Sequence, residues 1–501
     1  MRIERWRWVR RAAALLAVAP GLASAAGATA GLPALAALAR SGGVAESALV
    51  VRLDPLRVIA RIDPRRRLIP ASLTKLYTAA AALQRWGADY RFTTRLAYRG
   101  RLDDGVLHGD LVFVGGGDPG LTRKRLWELA ARAVAEGGLR RVTGDLVVDQ
   151  SRLGAVACTT TDRCRALHAS EHAFNAPLSS AGVDYGTWCV WVRPAARPGE
   201  PAAAGLCPPA PPTGLLTGAV RTGAAGGGVH VQLWRTTADG VDTLHLGGTV
   251  AAGLPVGRYY VAASDPARMT GSLLRVLLAA QGVKVAGRVV VVSQAPPDLV
   301  PLASVNGATL AHELSLMLHY SNDYMADVLA LDLARDRIAG TDPPQLAQAG
   351  AELERFATVL AHRAHLPGGV PATPPVIASG SGLTPVNRLS AADVVALLAR
   401  MYRRPALFPA YLAGLSVPRG APMRMLHGGG QAWLTQTAVK TGSMNEPVSV
   451  LAVAGYFRTR AGGWGAFAVI VNGTAKRRHF PWFEAMAAIE RDIGRIAAAA
   501  P

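Results

Sequence analysis

Residues 71–83 read ASLTKLYTAAAAL, a stretch rich in alanine that reads as a buried helix. Pro70 precedes it and Gly87 follows Trp86, so start and stop signals bound a helix from Ser72 to about Trp86. A helix this rich in small apolar side chains is covered by its neighbours, which takes a chain with many other elements. The 501 residues suffice for two or three domains, and 50% hydrophobic against 18% charged residues describes a folded protein. Lys75 is the exception within this helix. Of 54 Lys plus Arg, only Lys75, Lys124, Lys284, Lys440 and Lys476 are lysines. A chain that otherwise uses arginine has kept a lysine here, and the chemical difference is that lysine can release its proton while arginine cannot.

Around this helix the texture is mixed. ALVVRLD (48–54) and RVIARI (57–62) read as a strand pair joined at Pro55. From about residue 88 short alternating strands take over in RFTTRLAY, VLHGDLVFV, VTGDLVVD, WCVWVRP, VHVQLW and VDTLHLG, with proline and glycine crowding the loops most densely at 194–214. Helical periodicity returns near Asp265 in PARMTGSLLRVLLAAQG, then in 308–336, PQLAQAGAELERFATVLAHR and LSAADVVALLARMYRR. The strands TQTAVK, SVLAVAGYF and GAFAVIVNG and a last helix, FEAMAAIERDIGRIAAAA, end the chain. The simplest organisation is an α/β domain split by a mainly β insertion. Its parts are a leader over 1–25, the first half of the split domain over 26–87, the insertion over 88–262 and the second half over 263–501.

Three motifs carry chemistry. Ser72 and Lys75 are three apart, so a helix puts them on one face. A serine hydroxyl attacks poorly until a base takes its proton, and a neutral, desolvated lysine is such a base. Lys440-Thr441-Gly442-Ser443 follows one apparent strand and precedes another. A lysine with flanking hydroxyls there can hold a carboxylate, and glycine lets a backbone approach closely. Ser321-Asn322-Asp323 interrupts a helical pattern and can turn polar side chains into a cleft. Each motif alone is weak, but their order along the chain, SxxK then S(N/D)x then KTG, is specific.

This constellation resembles the penicillin-recognising serine DD-peptidases and β-lactamases. The long β-rich stretch between Ser72 and Ser321 is similar to the D-alanyl-D-alanine carboxypeptidase/endopeptidase family of penicillin-binding protein 4, peptidase family S13. LVFVGGGDPGLT (111–122), GDLVVDQS (144–151), FNAPLSSAGVDYGTW (174–188) and SGSGLTPVNRLS (379–390) extend the resemblance along the chain after the leader. It implies an α/β penicillin-binding, β-lactamase-like transpeptidase fold with a large mainly β insertion, and hydrolysis of D-alanyl bonds in peptidoglycan stem peptides and cross-links. Ser72 would be the acylated nucleophile, Lys75 its proton acceptor and Ser321 the proton shuttle to the leaving D-alanine. Lys440 would set the cleft's electrostatics, Thr441 and Ser443 would bind the terminal carboxylate beside Gly442, and the Ser72 and Ser443 N–H groups would form the oxyanion hole. The family implies no metal and no organic cofactor, and β-lactams as inhibitors that trap the acyl-enzyme.

The departure is Asp323, where the family's SxN pattern expects asparagine. An ionised carboxylate accepts hydrogen bonds but donates none. Either Asp323 is protonated, or it binds a cation from the substrate or a nearby lysine, or Asn322 takes over. Tyr320-Ser321-Asn322 also reads as a YxN form with tyrosine as the shuttle. Glu171, shortly before FNAPLSS, is a candidate for the free amine of a stem-peptide diamino acid. Two rival readings keep the fold: a non-catalytic envelope protein that binds peptidoglycan or a synthase, and a β-lactamase, for which no residue is identifiable as the base for a deacylating water.

The first eleven residues, MRIERWRWVRR, carry five Arg and one Glu, so part of the net charge of +20 belongs to a basic n-region. The apolar run AAALLAVAP and Ala23-Ser24-Ala25 complete an export signal, which implies a bacterial periplasmic location. Cys158, Cys164, Cys189 and Cys207 then read as two disulfides, Cys158 with Cys164 and Cys189 with Cys207. A basic surface outside the cytoplasm can meet anionic envelope polymers or lipid headgroups. The scattered arginines form no aromatic-studded patch for nucleic acid. GGGDPG (115–120) satisfies GxGxxG, with Glu136 further on. No parallel β–α–β series is expected after it, so it reads as a turn of the insertion. His362 and His365 read as solvated helix residues rather than metal ligands.

Overall fold

The computed structural model describes residues 31–154, 156, 172–208, 210, 215–340, 342–363 and 375–499. The leader, Cys158, Cys164, Glu171 and His365 lie outside the described residues. Strands from both ends of the chain meet in one five-stranded antiparallel sheet, in the order Thr437–Met444, Val450–Arg458, Trp464–Asn472, Ala45–Leu53, Leu56–Ile62. Alternate residues sort to its two faces. Leu49, Val51, Ala452, Ala454, Ala468 and Ile470 face a helical core, whereas Ala48, Val50, Leu451, Val453, Phe467 and Val469 lie under the helices Pro33–Gly42 and Trp482–Ala498. Because both faces are covered, SVLAVAGYF is apolar throughout rather than alternating.

The alanine-rich helix, Lys75–Trp86, is wrapped by Leu310–His319, Asp323–Arg335 and Leu346–Arg363. Ala79, Ala80 and Ala82 are fully buried, and their short side chains let these neighbours approach its axis. The backbone amide of Gly87 closes the helix by donating to the Leu83 carbonyl.

Between this helix and Leu310–His319 lies the insertion, built on a seven-stranded sheet around the hairpin Thr93–Asp103 and Val106–Val114. Two helices, Arg123–Ala135 and Pro266–Ala280, pack on it in a second core that includes Leu126, Leu129, Leu273 and Leu277. A smaller sheet, Gly257–Ala262 with Thr187–Arg193 and Ala203–Leu206, is tied by the disulfide Cys189–Cys207. The return to the first body comes later than residue 263: Pro266–Ala280 belongs to the insertion's core, and Val300–Asn306 pairs with Thr93–Tyr98. Periodicity identified that helix, but it carries no information about which core the apolar face joins.

A second expectation also changes. Val106–Val114, the helix Arg123–Ala135 and the parallel strand Leu146–Asp149 form one β–α–β unit after all. Its glycine loop is closely packed, since a side chain on Gly116 would meet the Thr93 carbonyl at 2.1 Å and one on Gly120 the Glu313 carboxylate at 1.9 Å. The loop is where the insertion presses on the helical body.

That contact extends to the helix Asp323–Arg335. Arg152 Nε lies 2.6 Å from Asp332 Oδ1 and Tyr324 Oη donates to the Ser179 carbonyl at 2.9 Å, while within the helical body Trp86 Nε1 donates to Asp336 at 2.9 Å. Among the described residues no helix is long and apolar enough to cross a membrane.

Glu46, in the strand Ala45–Leu53, is buried, and neither of its carboxyl oxygens has a hydrogen-bond partner among the described residues. Burial first, then the charges of Asp492 and Asp63, push its pKa from 4.5 up to about 8. The folded chain therefore retains a proton that the unfolded chain releases, and this group's contribution to stability falls as pH rises from about 4.5 to about 8. Glu46→Gln is expected to raise the melting temperature at pH 8.5 while leaving it nearly unchanged at pH 4.5, as read by calorimetry. An equal shift at both pH values would contradict this.

Candidate active site

The turn that carries Ser72 is strained and held from below. Ala71–Thr74 forms a short 3-10 turn ahead of the helix, and Ala71 has φ of 46°, a left-handed conformation that costs a non-glycine residue roughly 1–3 kcal/mol. Thr74 Oγ1 donates to the Ala71 carbonyl at 3.0 Å and accepts from Asn387 Nδ2 at 3.0 Å. Ser72 is thereby brought to the cleft wall with its hydroxyl 2.9 Å from Lys75 Nζ.

Lys75 is fully buried, and its amine also donates to Asp323 Oδ1 at 2.6 Å and to the Ser381 carbonyl at 2.8 Å. The amide of Ser381 in turn donates to Asp327 Oδ1 at 2.9 Å. Asp323 and Asp327 are one turn apart on the same helix. One carboxylate meets the amine, and the other positions the loop whose carbonyl meets it.

The pattern over 308–336 is two helices, Leu310–His319 and Asp323–Arg335, broken at Tyr320-Ser321-Asn322. Ser321 has φ of 54° at the break, and its Oγ accepts from Lys440 Nζ at 2.9 Å. Asn322, expected as a substrate contact, is the N-cap of the second helix, and its Oδ1 accepts from the Met325 amide at 3.0 Å. Tyr320 is 67% exposed. Of the two registers, the geometry assembles Ser321 with Asp323.

Lys440 to Ser443 lie within the strand Thr437–Met444 rather than beyond its end. This is the edge of the five-stranded sheet. Val439 exchanges both of its outer backbone hydrogen bonds with Ser416, so the two-residue period turns the N–H groups of Thr441 and Ser443 to the same outer edge. Gly442 lets that edge lie against the turn of Ser72, since a Cβ there would sit 2.6 Å from the Pro70 carbonyl and 2.9 Å from the Ser72 nitrogen.

Thr441 is buried, with its hydroxyl donating to Met423 Sδ at 3.1 Å, while Ser443 is exposed on the cleft. Lys440 is buried too and donates to the Thr441 carbonyl at 2.6 Å. Burial, then the charge of Lys75, push the Lys440 ammonium well below the ordinary lysine value, against a smaller upward pull from Asp323.

These groups surround a cleft of about 900 Å³ lined by Ser72, Ser321, Asp323 and Ser443, with further walls from Phe174, Asn175, Leu383, Thr384, Glu446 and Trp482. Asn175, Ser381, Asp327 and Trp482 were not singled out from sequence. The first two fall within FNAPLSS and SGSGLTP, so those motifs were the available signal. Glu171 lies outside the described residues, while nearby Phe174 and Asn175 reach the cleft.

The D-Ala-D-Ala carboxypeptidase 3 (S13) family profile matches residues 34–493. The chain belongs to that family. A D-alanyl-D-alanine carboxypeptidase of Actinomadura sp. (strain R39) is 31% identical over 432 residues, spanning 82% of this chain and 74% of that one. Penicillin binding protein 4 (dacB) from Haemophilus influenzae has the same fold, with a TM-score of 0.71 over 95% of this chain and 100% of that one at 19% identity. The same protein complexed with a β-lactam gives 0.69 over 95% and 99%, also at 19% identity. The S13 member described here thus has the penicillin-binding fold its motifs implied.

Two outcomes are expected from the site geometry. Ser321→Ala should slow acylation of Ser72 by a fluorescent penicillin by about a hundredfold or more, the range for loss of a proton-transfer group, while Tyr320→Phe leaves it unchanged. The reverse pattern would favour the tyrosine register. Gly442→Ala should fold yet acylate slowly, because the added methyl separates the edge strand from the Ser72 amide; a normal acylation rate would refute the close approach.

Proposed function

We propose that the protein is an exported serine DD-peptidase that cleaves the bond after D-alanine in peptidoglycan stem peptides or their cross-links. The observation that carries this reading is the Lys75 amine 2.9 Å from the Ser72 hydroxyl, beside a cleft that Ser321 and Ser443 also line. Family membership supports the reaction class, and the leader sequence together with the family's cell-wall substrate supports action outside the cytoplasm.

In this mechanism the neutral form of Lys75, its two N–H groups on Asp323 and the Ser381 carbonyl, accepts the Ser72 proton as Oγ attacks the carbonyl carbon of the penultimate D-alanine. The oxyanion that forms accepts hydrogen bonds from the Ser72 and Ser443 N–H groups, each worth about 3 kcal/mol in the transition state. Ser321 then donates its hydroxyl proton to the departing D-alanyl nitrogen. In its ammonium form Lys440, made more acidic by burial, restores it through their 2.9 Å hydrogen bond. Ser443 holds the terminal carboxylate, and Thr441 joins it when its hydroxyl turns from Met423. Water hydrolyses the Ser72 acyl-enzyme to complete the cycle, and a β-lactam enters the same pathway but leaves a long-lived adduct.

Digestion of purified muropeptides with mass analysis is the test. Wild-type protein should release D-alanine from monomers, split cross-linked dimers, or do both, whereas Ser72→Ala does neither. A fluorescent penicillin should label wild type and not Ser72→Ala. Absence of labelling in wild type, or equal labelling of the variant, would overturn the proposal.

A further inference from the structure

Asp323 deprives the cleft of a hydrogen-bond donor. Its Oδ1 accepts from Lys75, and an ionised carboxylate has nothing to offer a substrate carbonyl. Beside the start of its helix packs the short turn Ala173–Asn175, contributed by the insertion. Asn175 is 3% exposed and lines the cleft, and its Oδ1 is sealed from solvent with no hydrogen-bond partner among the described residues. Buried amide groups are satisfied in folded proteins almost without exception, so an orphan in the wall of a cleft is a group awaiting a ligand.

We infer that Asn175 is the amide that reads the substrate's peptide backbone on the acyl side of the scissile bond. A carboxamide pairs with a peptide unit at both ends: Nδ2 donates to a carbonyl, and Oδ1 accepts an N–H. The first of these is the donation that position 323 cannot make. The ligand class is therefore an acyl donor with a secondary amide next to the reacting residue, as in a peptide or in a β-lactam bearing an acylamino side chain. The inference rests on the peptidase reading and adds a specificity residue to it.

Two probes separate this role from a structural one. Benzylpenicillin carries a side-chain amide, whereas 6-aminopenicillanic acid has the same bicyclic core and a bare amine. In Asn175→Ala, the rate constant for Ser72 acylation by benzylpenicillin should fall about tenfold or more, the factor expected for losing a hydrogen bond made to substrate, while the rate with 6-aminopenicillanic acid stays within about twofold. Asn175→Asp, which keeps the shape and loses the donor, should match the alanine variant with benzylpenicillin. In an Asp323→Asn background, which restores an amide at 323, the loss caused by Asn175→Ala should shrink to about threefold or less.

Equal losses with both probes, an unaffected benzylpenicillin rate, or the full loss persisting in the Asp323→Asn background would each overturn the inference while wild type still labels. A wild type acylated by neither probe would instead remove the peptidase reading, and this inference with it.

Discussion

The Lys75 amine, sealed from solvent beside Ser72, is the group that the rest of the structure serves. An ammonium taken out of water costs several kcal/mol unless it is paired and hydrogen-bonded. Here one carboxylate, one hydroxyl and one carbonyl converge on it. Each arrives from a different part of the chain: Asp323 from the start of one helix, Ser72 from a strained turn, and Ser381 from a loop tied to Asp327. Placing Lys75 thus requires that the helical layer, the turn and the loop be in register with one another. The alanines following it serve the same end, because only a slim helix can be surrounded closely enough to leave the amine no water.

A second lysine sits within the same field. Lys440 feels Lys75 as a like charge and Asp323 as an opposite one, and burial, aided by Lys75 and opposed by Asp323, lowers its hold on a proton. Two buried amines and one carboxylate can share protons more readily than isolated groups, since each protonation changes the cost of the next. The edge strand contributes on its other side as well: its free N–H groups face the nucleophile's turn only because Gly442 has no side chain to hold it away. The insertion does more than separate two motifs in sequence. It grips the Asp323–Arg335 helix at both ends, Ser179 meeting Tyr324 and Arg152 meeting Asp332, and extends Asn175 into the cleft beside the helix start.

Much of this was legible in the sequence, and for identifiable reasons. Five lysines among many arginines made Lys75 and Lys440 conspicuous, and arginine's inability to lose a proton gave that contrast a chemical meaning. The helix Lys75–Trp86 could be bounded because Pro70 and Gly87 are local signals. The interruption at Ser321-Asn322-Asp323 was legible as a polar break in a helical pattern, but the Asn322 cap shows only in three dimensions. For the same reason Asn322 was expected to face substrate. The helix Pro266–Ala280 was visible as a helix but was assigned to the wrong body, because an apolar face does not say which core covers it. The parallel pairing of Val106–Val114 with Leu146–Asp149 was missed because register between strands is a tertiary property. Asn175 was quoted within FNAPLSS yet not singled out, since an unpaired amide is recognised only once its surroundings are known.

The central claim is that Lys75 is a lysine because its proton must be removable. Lys75→Arg keeps the positive charge beside Asp323 and withdraws that property, so the rate of Ser72 acylation by benzylpenicillin, followed by intact-protein mass spectrometry, tests it directly. A Lys75→Arg protein whose near-ultraviolet circular dichroism and cooperative melting match wild type should form no adduct on the timescale that saturates wild type. Acylation of that folded variant at a rate near wild type would contradict the account.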